Sequence, residues 1–446
     1  MPFDFLNLLK ELNIIVFKLY EILKLWWWLL LPFILFKPVR FLYRWWRVDL
    51  WLNKRKFTVL EIKMPKEVLK PIRAMEVVLS GLRQIIYKPP DFWEKWIDGE
   101  VQLSYSFEIA SIGGEPHFYV RIPDTVPKDG VEAIIYSQYP EAEITEAEDY
   151  TKLVPRDIPN KDWDLWASDY KVLKPSPYPI KTYPKFETEH ETKEEKRIDP
   201  IAGLLELMAK LKPGEQLWIQ IMAEPVSNED LPWITEGGRI RDELAKRTKK
   251  EAPRKPIILE AADVLITGEP PQEKKKEEPM FPPEMKLTPG EKEVISAVEE
   301  KISKPGFKAS ARFIYLGKKG AFKRINLRLA FGYFAFYFTE NLNALVPYGP
   351  TLTKIKKSWF LPKNLTRQRR LYLRKRRMFR YYCERFDPLY PKNSKFPTSF
   401  ILNTEELASL FHFPGKSYAS APFVSRVEAK KGEAPMGLPT EDLLEE

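Results

Sequence analysis

Leu25 to Phe36 reads LWWWLLLPFILF, twelve residues without a charge, and the chain then turns abruptly basic. Lys37, Arg40, Arg44, Arg47, Lys54, Arg55 and Lys56 follow, with Asp49 the one acid among them. An apolar block rich in tryptophan with a cationic border is the pattern of a membrane anchor at its cytoplasmic edge. The expected anchor residues are Trp26, Trp27, Trp28, Pro32, Arg40, Arg44 and Arg47. The block is shorter than the ~20 residues a helix needs to span hydrocarbon. Extension back to Ile14 adds length but brings in Lys18, Glu21 and Lys24. Three arrangements stay open. One is a spanning helix kinked at Pro32, with residue 37 onward in the cytoplasm. Another is an interfacial or re-entrant helix with Trp45, Trp46 and Trp51 at headgroup depth. The third is a hydrophobic helix of a soluble protein. A cleaved signal peptide fits poorly, because Lys37-Pro38 offers no small-residue cleavage site.

The remainder of the chain is polar and rich in strand patterns. At 446 residues it has room for two or three domains. A net charge of +10 favours anionic partners such as lipid headgroups or nucleic acid. The single cysteine, Cys383, excludes an intrachain disulfide and a cysteine-based zinc site. His117, His190 and His412 lie far apart, so neither metal nor cofactor chemistry is expected.

Residues 56–150 read as β-α-β-β-α-β. Leu60, Ile62 and Met64 mark a strand, and Ile72, Met75, Leu79, Leu82 and Ile86 recur at helical spacing. Val101, Leu103, Tyr105, Phe107 and Ile109 alternate with Gln102, Ser104, Ser106 and Glu108, as on a half-buried strand. Gly113-Gly114 supplies the turn to a return strand carrying Phe118, Val120 and Ile122. A helix around Val131 and Ile135 and a short strand near Ala142 complete a ferredoxin-like, split βαβ order. Residues 151–200, dense in proline, tyrosine and charge, read as an extended connector. Residues 201–345 repeat the strand-helix order as a second ferredoxin-like module. In it, Thr288-Pro289-Gly290-Glu291 is a capping-box start, a helix of about twenty residues includes LAFGYFAFYF from Leu329, and residues 267–285 form a disordered insertion. Residues 346–446 are a basic helical segment and extended tail. The fold expected is therefore α+β: a membrane helix in residues 1–55, two ferredoxin-like modules and a basic C-terminal region.

The stretch from Asn341 to Cys383 contains no acid. Arg369, Arg370, Arg374, Arg376, Arg377 and Arg380 crowd its second half, interleaved with Tyr372, Phe379, Tyr381 and Tyr382. Arginine suits phosphate and aromatics suit base stacking, so single-stranded nucleic acid fits this stretch. An acidic partner protein or an anionic membrane surface fits it too, and arginines spread over Arg367 to Arg380 would face nearly every side of a helix. Gly415-Lys416-Ser417 resembles the end of a phosphate-binding loop, but Leu410 stands where the loop needs glycine, and the match is coincidental. No nucleophile-base pair stands out, so an enzyme is not expected. His117 reads as a structural strand residue.

Four segments carry a resemblance: RAMEVVLSGLRQI from Arg73, WIDGEVQLSYSFEIASIGGEPHFYVRIP, DPIAGLLELMAKLKPGEQLWIQI and ILNTEELASLFHFPG. In this order they resemble an uncharacterised membrane-anchored domain family of small-genome uncultivated bacteria, found in or beside type IV secretion and conjugation ATPases. The resemblance covers most of residues 56–439. It implies a scaffold at the inner (cytoplasmic) membrane, its bulk in the cytoplasm, docking a hexameric motor ATPase or other secretion subunits within an oligomeric complex. Where relatives continue into an ATPase, this chain reads TEDLLEE without Walker motifs, so hydrolysis does not carry over. The alternative expectation is a membrane-tethered nucleic-acid-binding protein.

Overall fold

The computed structural model of the protein describes residues 31–65, 70–186, 199–246, 287–323, 326–356, 364–385 and 398–414, with single positions at 14, 17, 18, 21 and 24. Two units separate: residues 1–56 with 88–102, and residues 57–87 with 103–446.

The first unit is built on helix α1 (Leu31–Lys54), which carries Pro38 inside it. Its second part is a single wide helical turn, Glu94–Asp98, closed by Gly99 at φ 79°. A Cβ at Gly99 would lie 2.4 Å from the Arg47 carbonyl oxygen, so only glycine fits. Arg40 and Arg44 lie over the Trp96 ring at 4.6 and 5.5 Å. The expected membrane helix is corrected here. Among the described residues, no helix is long and apolar enough to cross a membrane. α1 has the length, but Lys37, Arg40, Arg44 and Arg47 all fall between Leu31 and Val48, leaving no apolar stretch of spanning size. Pro32 sits near the start of this same charged helix, and Trp26, Trp27 and Trp28 lie outside the described residues.

The second unit is α+β with one large antiparallel sheet. Its strands are β1 (Phe57–Lys63), β2 (Tyr105–Ile112), β3 (Glu115–Pro123), β4 (Glu143–Ala147), β5 (Trp163–Val172), β6 (Glu215–Val226), β7 (Gly306–Lys318), β8 (Leu345–Pro347) and β9 (Phe400–Asn403). The order across the sheet is β4-β1-β3-β2-β6-β7-β5-β8, and β9 pairs with the start of β7. β1 and β2 flank β3, and β5 and β6 flank β7 in the same way. The seam is β2 against β6, antiparallel, with Phe107 opposite Ile221 and Ile109 opposite Ile219. The two expected modules are thus halves of a continuous sheet and not separate bodies. β5 also lies within residues 151–200, where a connector was expected. Leu165, Ala167, Trp166 and Tyr170 of that strand are all buried, because both faces of the sheet are covered there.

One sheet face carries Leu60, Phe107, Ile109, Phe118, Ile219 and Phe313, all buried. Helices α2 (Arg73–Ile86), α3 (Lys128–Gln138), α4 (Pro200–Ala209), α7 (Leu327–Ala335) and α9 (Thr404–Leu410) belong to this side. Ring contacts from Phe411 to Phe107 (5.1 Å) and from Phe331 to Phe313 (5.3 Å) show the closeness of the packing. α7 is nine residues long, not about twenty. Tyr333 within it and Tyr337 just past its end donate to the carbonyls of Leu410 and Ser409, the latter at 2.8 Å. The Thr288–Glu291 capping box opens α6 (Pro289–Ser303), which follows α5 (Trp233–Leu244). Residues 267–285 lie outside the described residues.

The segment from Phe400 to Phe413 is buried at every position. Glu406 caps α9 by accepting from Asn403 N at 3.0 Å, and it accepts from Ile180 N at 2.8 Å. Lys301 of α6 pairs with the same carboxylate at 2.9 Å and donates to the Ile401 carbonyl at 2.9 Å. Burial pushes the Glu406 carboxyl up and the Lys301 amine down, each only partly countered by the other. The pair is a structural pin joining α6, β9 and α9.

Candidate functional site

The opposite sheet face is covered by helix α8 (Arg367–Cys383), the basic segment singled out from the sequence. Its run of arginine, leucine, lysine and methionine has high helix propensity and no glycine or proline. Arg367, Arg369 and Arg370 in its first turn oppose the helix dipole, so packing and not end electrostatics must hold it. Lys375, Met378, Phe379 and Tyr382 form the packed face. Met378, Phe379 and Tyr382 join Trp218, Ile314, Leu316 and Leu165 in one core cluster. Trp218 lies 5.4 Å from Tyr382 and 5.1 Å from Tyr150, ring to ring.

The packed face also takes up two of the cations. Lys375 Nζ pairs with Asp164 at 2.5 Å. Arg374 donates to the Leu352 carbonyl at 2.7 Å, and burial followed by the nearby charges of Arg377 and Arg370 lowers its pKa. Arg374, expected as a contact for an anionic partner, is therefore a tether within the chain. The other five expected contacts behave differently. Arg369, Arg370, Arg376, Arg377 and Arg380 are all exposed. No hydrogen bond or ion pair to a described residue holds Arg369, Arg370 or Arg377. Arg376 touches the Tyr372 hydroxyl at 3.2 Å, and Arg380 pairs with Glu384 at 3.1 Å on the helix's own surface. With 100° per residue these five positions fall within one arc, centred opposite the packed face. The sequence suggested arginines on nearly every side. Packing on the sheet leaves a single face.

Just past α8, Arg385 anchors the helix end. It adopts φ 52°, a conformation few residues other than glycine take. Its Nε and Nη2 donate to Glu108 Oε1 and Oε2, both at 3.0 Å, and its Nη2 and Nη1 reach Asp149, the former at 3.0 Å. Glu108 also accepts from Ser106 at 2.6 Å, Tyr150 at 2.7 Å and Gln220 at 2.9 Å. Burial opposes ionisation of Glu108, but the Arg385 charge and these hydrogen bonds hold its carboxyl below the usual range. Burial likewise works against the Arg385 charge, and Glu108 and Asp149 more than compensate, raising its pKa. None of Glu108, Asp149 and Arg385 stood out in the sequence. Glu108 occupies a polar position of an alternating strand, and such positions ordinarily face water.

Other chemistry-bearing residues are quiet. Burial pushes the Cys383 thiol up to about 12, which suppresses the thiolate. His117 Nδ1 lies 2.6 Å from Glu61 on the sheet, and its ring stacks on Tyr119 at 5.9 Å. Among the described residues no group of three or more His, Cys, Asp or Glu is placed to hold a metal. Gly415-Lys416-Ser417 lies outside the described residues.

The family model that matches the chain is described as Domain of unknown function (DUF8128), over residues 55–423. The chain belongs to this family. The match takes in both halves of the sheet, α8, β9 and α9, so the helix with the arginine face is an integral part of the family domain. No curated protein matches the chain.

Proposed function

We propose that the protein is a non-catalytic docking subunit of a type IV secretion-like translocation apparatus, and that the exposed arginine face of α8 receives an acidic surface of a separate motor ATPase. The observation that carries this reading is the division of labour on α8. Arg374 and Lys375 are bound inside the chain, while Arg369, Arg370, Arg376, Arg377 and Arg380 line one outward face. A rigid helix laid on a sheet holds those charges in fixed register, which favours a partner of complementary charge. The secretion context rests on the resemblance of the four quoted segments.

The test is co-purification. A tagged wild-type chain should bring down a hexameric ATPase from its native cells, in a salt-sensitive manner. The variant with all five outward arginines changed to glutamine should lose it while keeping its melting temperature. An ATPase retained undiminished by that variant would overturn the reading.

A further inference from the structure

The outward face of α8 is not uniformly charged. Leu373 is 53% exposed and sits at the centre of the arc formed by Arg369, Arg376, Arg377 and Arg380. Leu365, two residues before the start of α8, is 84% exposed, and Tyr372 is 41% exposed. An apolar side chain ringed by arginines is the arrangement of an interface anchor inside a charged rim. From this we infer that the occupant of the α8 face is an acidic, leucine-lined helical groove of a protein, with Leu373 as the side chain that enters it. The inference rests on the docking role proposed above and specifies the chemistry of the partner.

Two other occupants fit less well. A phosphate backbone would use the guanidinium groups and gain little from a leucine at the middle of the face, since phosphate contacts are made by donors and base contacts by stacking rings. A second copy of the same face would set arginines against arginines, and like charges brought together disfavour association. A helical groove with acidic walls satisfies both kinds of residue at once, laying the helix in by its i, i+4 and i+7 positions.

Three fluorescent probes separate these cases, each titrated against the full chain by anisotropy. They are a helical peptide of about 20 residues with leucine at a and d and glutamate at e and g, polyglutamate of equal charge, and an oligothymidylate of about 20 nucleotides. The leucine-bearing peptide should bind at least tenfold tighter than polyglutamate. Leu373→Ala should weaken the peptide about tenfold, or ~1.4 kcal/mol, and leave polyglutamate unchanged. Leu373→Met, which keeps the apolar bulk, should restore peptide binding. If peptide and polyglutamate bind alike and Leu373→Ala is silent, the groove inference fails while docking by charge survives. Oligothymidylate bound more tightly than the peptide would replace the protein partner with nucleic acid. Absence of binding to all three would overturn both this inference and the docking reading beneath it.

Discussion

Arg385 grips Glu108 with two parallel guanidinium hydrogen bonds, Nε to Oε1 and Nη2 to Oε2, each 3.0 Å long. The two residues are almost wholly shielded from solvent, and they connect the end of α8 to the middle of the sheet. The pair turns a surface helix into a fixed platform.

Removal of one partner should be costly. Arg385→Gln leaves a buried carboxylate without its cation and should lower unfolding stability by about 3 to 5 kcal/mol. Arg385→Lys should recover only part of this, because an ammonium cannot make the bidentate pair. Urea unfolding monitored by tryptophan fluorescence measures both. A wild-type midpoint for Arg385→Gln would show that the pair contributes nothing.

Acid should act on the same cluster. For Asp149, as for Glu108, burial opposes ionisation, but hydrogen bonds and charge from Arg385 and hydrogen bonds from Thr151 bring its pKa below the ordinary value. The unfolded chain therefore binds more protons as the solution is acidified. The stabilisation from these two groups is complete above their unfolded values near pH ~4 and is lost as pH falls through the lower folded values. Subtracting the urea-midpoint profile of Arg385→Gln from that of wild type, between pH 3 and 6, should isolate a positive slope with pH in that acidic window.

The Lys301–Glu406 pair should respond in the opposite sense. Lys301→Met leaves the buried Glu406 carboxylate with its backbone donors but without its cation, and should cost about 3 to 5 kcal/mol at neutral pH. The Glu406 carboxyl is already raised by burial, and loss of Lys301 would raise it further. Acidification protonates it and should shrink the deficit. A pH-independent deficit would mean that the carboxylate is stabilised by its backbone donors alone.

On α8, stability and binding should separate residue by residue. Arg374→Gln should lower stability by about 1 to 2 kcal/mol through lost charged hydrogen bonds to carbonyls and leave polyanion binding largely intact. Glutamine at Arg369, Arg370, Arg376, Arg377 and Arg380 should do the reverse. Should the ligand prove to be single-stranded nucleic acid, each lost phosphate contact would reduce the log–log salt slope by about 0.7.

The alternation of Tyr105, Phe107 and Ile109 was legible as a strand because one of its faces differs from the other. What covers the polar face was not. Ser106 and Glu108 lie buried beneath a helix hundreds of residues later in the chain, and local periodicity has no access to that distance. β5 escaped notice for a related reason. Trp163 to Val172 is buried along most of its length on both sides, so its pattern is a mixed apolar run, and the prolines around it mimic a connector. Residues Lys37 to Arg47 differ from the expectation of a spanning helix in another way. Arg40 and Arg44 stack on Trp96 within a small unit, and with such charges in α1 no helix among the described residues is long and apolar enough to cross a membrane. The basic character of α8 could be read directly, but which of its arginines point outward is decided by Met378, Phe379 and Tyr382 facing in.

Phe411 touches Phe107 and Phe118, side chains that leave the ribosome roughly 300 residues earlier. At about 5 to 20 residues per second, that interval lasts roughly 15 to 60 seconds. During it the first half of the sheet lacks an aromatic stopper, and the seam at β2 stands open until β6 emerges. A nascent chain in this state presents apolar surface and an unpaired strand edge, the features that draw chaperones. The core therefore closes in steps, the seam with β6, and the last apolar surface only when the C-terminal strand and helix follow.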